Sequence, residues 1–178
     1  MYPFIRLPWQ FFKHRNDPTL PPMGVHVSQH ICWPWDLDMW WELNNGRTLT
    51  LYDMGRLPLA KRVGLIDALK RNTWGLTMAG CSVRYRKRIR MFQKIEMRSR
   101  AVCYDDRFIY MEQSMWTTGG ECAGHILYRC AVTSADGIVN PALVLNDIDP
   151  NFKKPAIPGW IDAWIQAEAK RPWPPVMD

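Results

Sequence analysis

Apolar and polar residues alternate along some stretches of this chain and recur with a helical period along others. In GVHVSQHICW, Val25, Val27, Ile31 and Trp33 share one parity; His26, Ser28, His30 and Cys32 share the other. That alternation predicts a strand, which Pro34 ends. From Gly46 the period changes. Leu49, Leu51, Tyr52, Met54, Leu59, Ala60 and Val63 suit a helix with a broad apolar face. Asn44 or Asn45 is its natural N-cap, because an Asn side chain accepts from the exposed N–H groups of a first turn. Pro58 is expected to kink or split this helix, Gly64 to weaken it, and LIDALKRN to form a short second piece.

Alternation returns after Trp74 and Gly75. TMAGCSVRYRKRIR reads as one long strand, followed by QKIEMRSRAVCY, RFIYMEQSMW and ECAGHILYRCAVT. Asp105-Asp106 and Thr117 to Gly120 supply the turns, and Ala135-Asp136-Gly137 closes the sheet. Short connections imply antiparallel neighbours. Pro141 to Ile148 holds a helical turn or two, and GWIDAWIQAEAK ends the chain as an amphipathic helix, with Trp160 and Trp164 on one face. One strand, a helix and four long strands make an α+β domain whose sheet wraps around the helix. The expected organisation is an aromatic and basic N-terminal arm over 1–22, one domain over 23–135 and an extension over 136–178.

Composition narrows the partners. The 178 residues carry a net charge of +6, which suits an anionic partner without choosing between nucleic acid, a lipid surface and a phosphate-bearing molecule. Recognisable nucleic-acid motifs are missing, so no nucleic-acid partner is expected. Five cysteines without CxxC spacing suggest a reduced, cytoplasmic protein. Cys122 and His125 have ligand-like spacing, but no second pair accompanies them, and no metal is expected. No stretch reaches the ~20 apolar residues that span a bilayer. The N-terminal MYPFIRLPWQFFKHR lacks the continuous apolar core and the cleavage site of a signal peptide. It reads as an arm packed on the domain or a partner subunit, or as a peripheral membrane contact through residues 1–15.

The chemistry concentrates in WPWDLDMWWELNNGR. Asp36 and Asp38 stand among four tryptophans, with Glu42 just beyond, and charges beside indoles are costly unless paired or used. Asp36 and Asp38 can simply cap backbone groups of a turn, and Glu42 can be a solvated loop acid. Downstream, Arg84, Arg86 and Arg88 share a parity, either as a solvated face or as a clamp for phosphates. Asp53 and Arg56 are spaced for a helical ion pair. Glu112 and Gln113 point to opposite faces, so one of them is expected inside, and His125 reads as a core histidine.

Asp36-Leu-Asp38, the Asn44-Asn45-Gly46-Arg47 that follows, the TLTLYDMGR helix and VRYRKRIRMFQKIEMRSR together resemble hot-dog acyl-CoA thioesterases of the 4-hydroxybenzoyl-CoA thioesterase-like group over about residues 24 to 135. The family's Gly-His before the asparagines is replaced by Trp41-Glu42, and the aromatic residue that often follows them is Thr48. The resemblance implies a hot-dog fold, a five-stranded antiparallel sheet around one central helix, and hydrolysis of an acyl-CoA or acyl-carrier-protein thioester. Coenzyme A would then be part of the substrate, and no cofactor is implied. Asp38 falls on the catalytic aspartate, as general base or nucleophile. The backbone at Asn45 and Gly46 would form an oxyanion hole. Asp36 would hold the loop beside the substrate. Trp40, Trp41, Glu42 and Asn44 would border it, and Arg84, Arg86 and Arg88 would bind coenzyme A phosphates. A homodimer or homotetramer is expected, with the site shared between subunits. The alternative is a non-catalytic hot-dog protein that binds an acyl-CoA or a protein partner.

Overall fold

The computed structural model describes residues 3–175. The chain forms α1 (Arg6–Lys13), β1 (His26–Ile31), a single 3-10 turn (Pro34–Asp36), α2 (Asn45–Arg62), α3 (Leu65–Asn72), β2 (Gly75–Tyr85), β3 (Lys94–Tyr104), β4 (Ile109–Thr117), β5 (Cys122–Ser134), β6 (Gly137–Val139), α4 (Pro141–Ile148) and α5 (Gly159–Ala169). The main strands run β1-β3-β4-β5-β2, all antiparallel, with β6 added beside β5. This is the α+β hot-dog arrangement, a curled sheet wrapped on α2.

The inner face of the sheet and one side of α2 build the main core. Leu51, Tyr52, Met54 and Leu59 of α2 pack on Ile95, Met97, Met111, Met115, Ile126 and Tyr128. The helix approaches β3 so closely at Gly55 that an added Cβ would lie 2.6 Å from Met97 Sδ and 2.8 Å from Ser99 Oγ. Glycine there is a packing requirement. Gln113 is the inward member of the Glu112-Gln113 pair. Its amide donates to the Tyr52 carbonyl at 2.9 Å and to Ser99 Oγ at 2.7 Å, which makes its burial tolerable. A second cluster joins Tyr104, Ile109 and Val132 to Val144 and Leu145 of α4. On the outer face, Cys103, Tyr110 and Leu127 are covered by Ile161 and Trp164 of α5, so the last helix docks as its tryptophan spacing suggests.

Several elements differ from the sequence reading. The N-terminal segment is a helix, because its apolar positions also fit a 3.6 period. Pro58 sits inside an unbroken α2, and the helix ends instead at Gly64, in the left-handed region with φ +80°. The long basic strand stops at Tyr85: Arg86 and Lys87 both donate to the Ala123 carbonyl, at 2.8 and 3.0 Å, and the ladder ends there. The sheet gains the short β6 beyond the Ala135-Asp136-Gly137 turn. In β1 the polar parity faces inward: His26, Ser28 and His30 are buried while Val25 and Val27 are exposed. His30 and Ser28 satisfy each other at 2.8 Å, and α1 covers this side.

Candidate active site

The turn from Asp38 to Glu42 and the first turn of α2 are held as one unit. Asp36 is fully buried beneath them. Its Oδ2 accepts from Arg6 at 2.7 Å and from the Trp33 N–H at 3.1 Å; its Oδ1 accepts from Arg47 Nη2 at 2.8 Å and Nε at 3.1 Å. Two guanidinium groups therefore neutralise one carboxylate and tie α1, the 3-10 turn and α2 together. The Asp36 carbonyl also accepts from the Asn44 N–H at 2.9 Å, which fixes the approach to the helix.

Asp38 shapes the next turn. Its N–H donates to the Glu42 carbonyl at 2.9 Å, and its Oδ1 accepts from the Trp40 N–H at 2.8 Å. Oδ2 accepts no hydrogen bond among the described residues. Trp41 closes this turn in the left-handed region, φ 58°. The glycine that the resemblance sets at this position would take that conformation without strain. Glu42 then pairs by its backbone with Arg90, and Leu43 donates to the Ile89 carbonyl at 2.8 Å.

Asn44 is the N-cap of α2, its Oδ1 accepting from the Arg47 N–H at 3.1 Å. The Thr48 N–H bonds the Asn44 carbonyl at 2.9 Å. The N–H groups of Asn45 and Gly46 come before any intrahelical acceptor and carry the positive end of the helix dipole. A cavity of about 210 Å³ opens beside this terminus. Leu43, Tyr52, Ile89, Met115 and Ala123 give it apolar walls; Asn45, Thr48 and Glu42 stand on the helix side; Tyr85, Arg86, Lys87 and Arg88 line the side of the β2 end. Glu42 Oε2 lies 2.9 Å from Arg88 Nε, an ion pair by distance whose angle is off the line of a hydrogen bond. The Tyr52 hydroxyl is buried without a partner among the described residues, and burial pushes its pKa well above the ordinary tyrosine value.

The structure thus brings together Glu42, Asn45, Arg86 and Arg88, with Gly46 next in the same helical turn. Within the single chain it leaves Asp36 sealed below the site and Asp38 in the turn wall. Trp40 and Trp41 point to solvent, 74% and 71% exposed, so they do not line the cavity. Arg84 lies in a separate groove with Ser82, His125 and Trp160. His125 is on the outer face, 3.0 Å from Glu112, and its hydrogen bond, ahead of the pairing with Arg100, holds the Glu112 carboxyl below its usual range. Asp53 does pair with Arg56. Thr48 and Tyr52 were missed as lining residues, although their spacing from Asn45 puts all three on one helical face. Lys87 was missed because a regular strand would have turned it away from Arg86 and Arg88.

The geometry is that of a hot-dog thioesterase-like protein, a sheet around a helix whose N-terminus opens on a pocket. A match to the thioesterase-like superfamily covers residues 32–165, and the chain belongs to that superfamily. It is 35% identical over 111 residues to protein THEM6 of Xenopus laevis, covering 62% of this chain and 54% of that one. It is 26% identical over 140 residues to protein THEM6 of Drosophila melanogaster, covering 77% and 70%. The aligned stretch therefore spans about half the length of the Xenopus relative. Among solved structures, YbaW of Escherichia coli superposes with a TM-score of 0.65 at 12% identity, covering 69% of this chain and 95% of that one. The DHNA-CoA thioesterase of Staphylococcus aureus superposes at 0.60 and 15%, covering 82% and 91%. At these identities the structural likeness concerns the fold.

Among the described residues no helix is long and apolar enough to cross a membrane.

Proposed function

We propose that this chain hydrolyses an acyl thioester of coenzyme A or of an acyl carrier protein. The carrying observation is the cavity at the α2 N-terminus, where the start of a helix, the Glu42 carboxylate and a cationic rim surround one apolar pocket. The acyl group would lie against Leu43, Ile89 and Met115. The thioester oxygen would face the Asn45 and Gly46 N–H groups, where one preorganised donor is worth about 3 kcal/mol to the transition state. Arg86, Lys87 and Arg88 would meet the phosphates of the carrier. Asp38 is the base: it takes a proton from water, the water oxygen bonds to the carbonyl carbon, and the carbon–sulfur bond breaks. The sulfur leaves with that proton, giving a free acid and a thiol.

A second reading gives the base to Glu42, because Glu42 lines the cavity and Asp38 does not within one chain. Thiol release across short, long and aromatic acyl-CoAs tests the function. Asp38→Asn should lower kcat by about a hundredfold or more, and Glu42→Gln by less than about tenfold. The reverse order transfers the role to Glu42. Saturable binding of acyl-CoA with no turnover by the unaltered protein would establish the non-catalytic alternative instead.

The open edge of β2 is where a second copy would add its own strand, since β2 pairs only with β5 among the described residues. On this reading Asp38 reaches the substrate in a shared site. A monomer at working concentrations, measured by sedimentation, would remove that arrangement.

A further inference from the structure

Helix α1 spends part of its inner side on polar contacts and leaves large apolar side chains in solvent. Two of its polar residues face the protein: Gln10 is buried, and Arg6 reaches inward to Asp36 at 2.7 Å and to the Ile31 carbonyl at 3.0 Å. Trp9 and Phe12 of the helix, with Ile5 just before it, face outward, exposed by 58%, 53% and 86%, while Leu7 and Phe11 are half-buried. A helix that only needed to pack on its domain would carry polar residues where Trp9 and Phe12 stand. The exposed surface continues beyond the helix. Trp9 stacks on Phe12 at 5.6 Å and shares a groove with Trp33; Trp33 stacks on Trp35 at 5.3 Å and meets Phe92 edge-on at 5.9 Å. Trp35 and Phe92 are 64% and 57% exposed. One aromatic surface therefore runs from α1 across the 3-10 turn to the segment before β3, larger than single exposed side chains require.

We propose that this surface docks the protein on the headgroup region of an anionic lipid bilayer. Indole and phenyl rings held outward on a short amphipathic helix suit the boundary between headgroups and acyl chains, where Trp is enriched. The rim has the matching charge. Residues 1–16 contain Arg6, Lys13 and Arg15 and no acid. Lys13 and Arg15 are exposed, the Arg15 guanidinium lies 3.9 Å over the Phe12 ring, and Arg90 and Lys94 flank Phe92. A second copy fits less well, because a self-complementary contact would set these cations against their own duplicates. The Arg6–Asp36 pair transmits the attachment, since it ties α1 to the turn below the cavity.

Flotation of the whole chain with vesicles tests this, independently of catalysis. The protein should float with vesicles of phosphatidylcholine and phosphatidylserine, less with phosphatidylcholine alone, and the difference should shrink in high salt. Trp9→Ala with Phe12→Ala should lower partitioning by about tenfold or more, with the circular-dichroism spectrum unchanged because both rings are exposed. Lys13→Glu with Arg15→Glu should abolish the preference for anionic vesicles. A folded protein that fails to float with either vesicle overturns the proposal, as do aromatic variants that float like the parent. Self-association that depends on Trp9 and Phe12 without vesicle binding assigns the surface to a second copy and overturns it as well.

Discussion

Asp36 shows how far one residue's role can depend on its partners. Asp36 is sealed from solvent, with Arg6 and Arg47 on its two oxygens. Removing it would strand two guanidinium groups at the base of the site. Asp36→Ala is therefore expected to destabilise the fold by about 3 kcal/mol or more, measured by denaturant unfolding. Trp41 is the opposite case. It holds a left-handed backbone conformation with its ring largely in solvent, so Trp41→Gly should relieve strain and raise stability by about 1 kcal/mol. The same measurement checks it, and a loss of stability would show that the indole has a packing role. Asp36-Leu-Asp38 and Asn44-Asn45 were legible because each residue's preference is local: Asx side chains bend turns and cap helices. Which carboxylate borders the cavity was not legible. That depends on where the Ile89–Arg90 segment crosses Glu42 and Leu43, a contact between positions far apart in the chain.

At the scale of elements, alternation placed the strands and helical spacing placed α2, α3 and α5. Periodicity could not say which parity of β1 faces in. His26, Ser28 and His30 are the buried members, and the apolar Val25 and Val27 are exposed. Their partners are other polar groups: Ser28 meets His30 at 2.8 Å, and Arg62 of α2 reaches His26 Nδ1 at 2.9 Å. Burial, the largest influence on each, lowers the His26 pKa to about 4 and that of His30 to about 3. His14, Asp17 and Arg62 face His26; Arg6 and Lys13 act on His30 from α1. The unfolded histidines bind protons near pH 6.5, well above the folded values. Stability should therefore be insensitive to these groups above about pH 6.5. It should fall by about 1.4 kcal/mol per pH unit per histidine as pH drops below that, levelling off once the folded group protonates. Denaturant midpoints at pH 7 and pH 5 check this; His30→Gln should flatten the slope.

For the whole molecule, three apolar clusters divide the labour. One sits between α2 and the sheet, one under α4, and one beneath α5 on the outer face. Only the first borders the cavity, so the outer helices can vary without altering the pocket. Gly55 adds a consequence for selectivity. With Met97 and Ser99 already against its Cα, α2 has no slack to slide toward the sheet, so the depth available to an acyl chain is set by the opposite wall. Ala123 carries the smallest side chain on that wall, beside the bare backbone of Gly124. Filling it, as in Ala123→Val, should act like a stop in a ruler: preference, read as the ratio of kcat/KM values along an acyl-CoA series, should move to shorter chains while the fold keeps its dimensions.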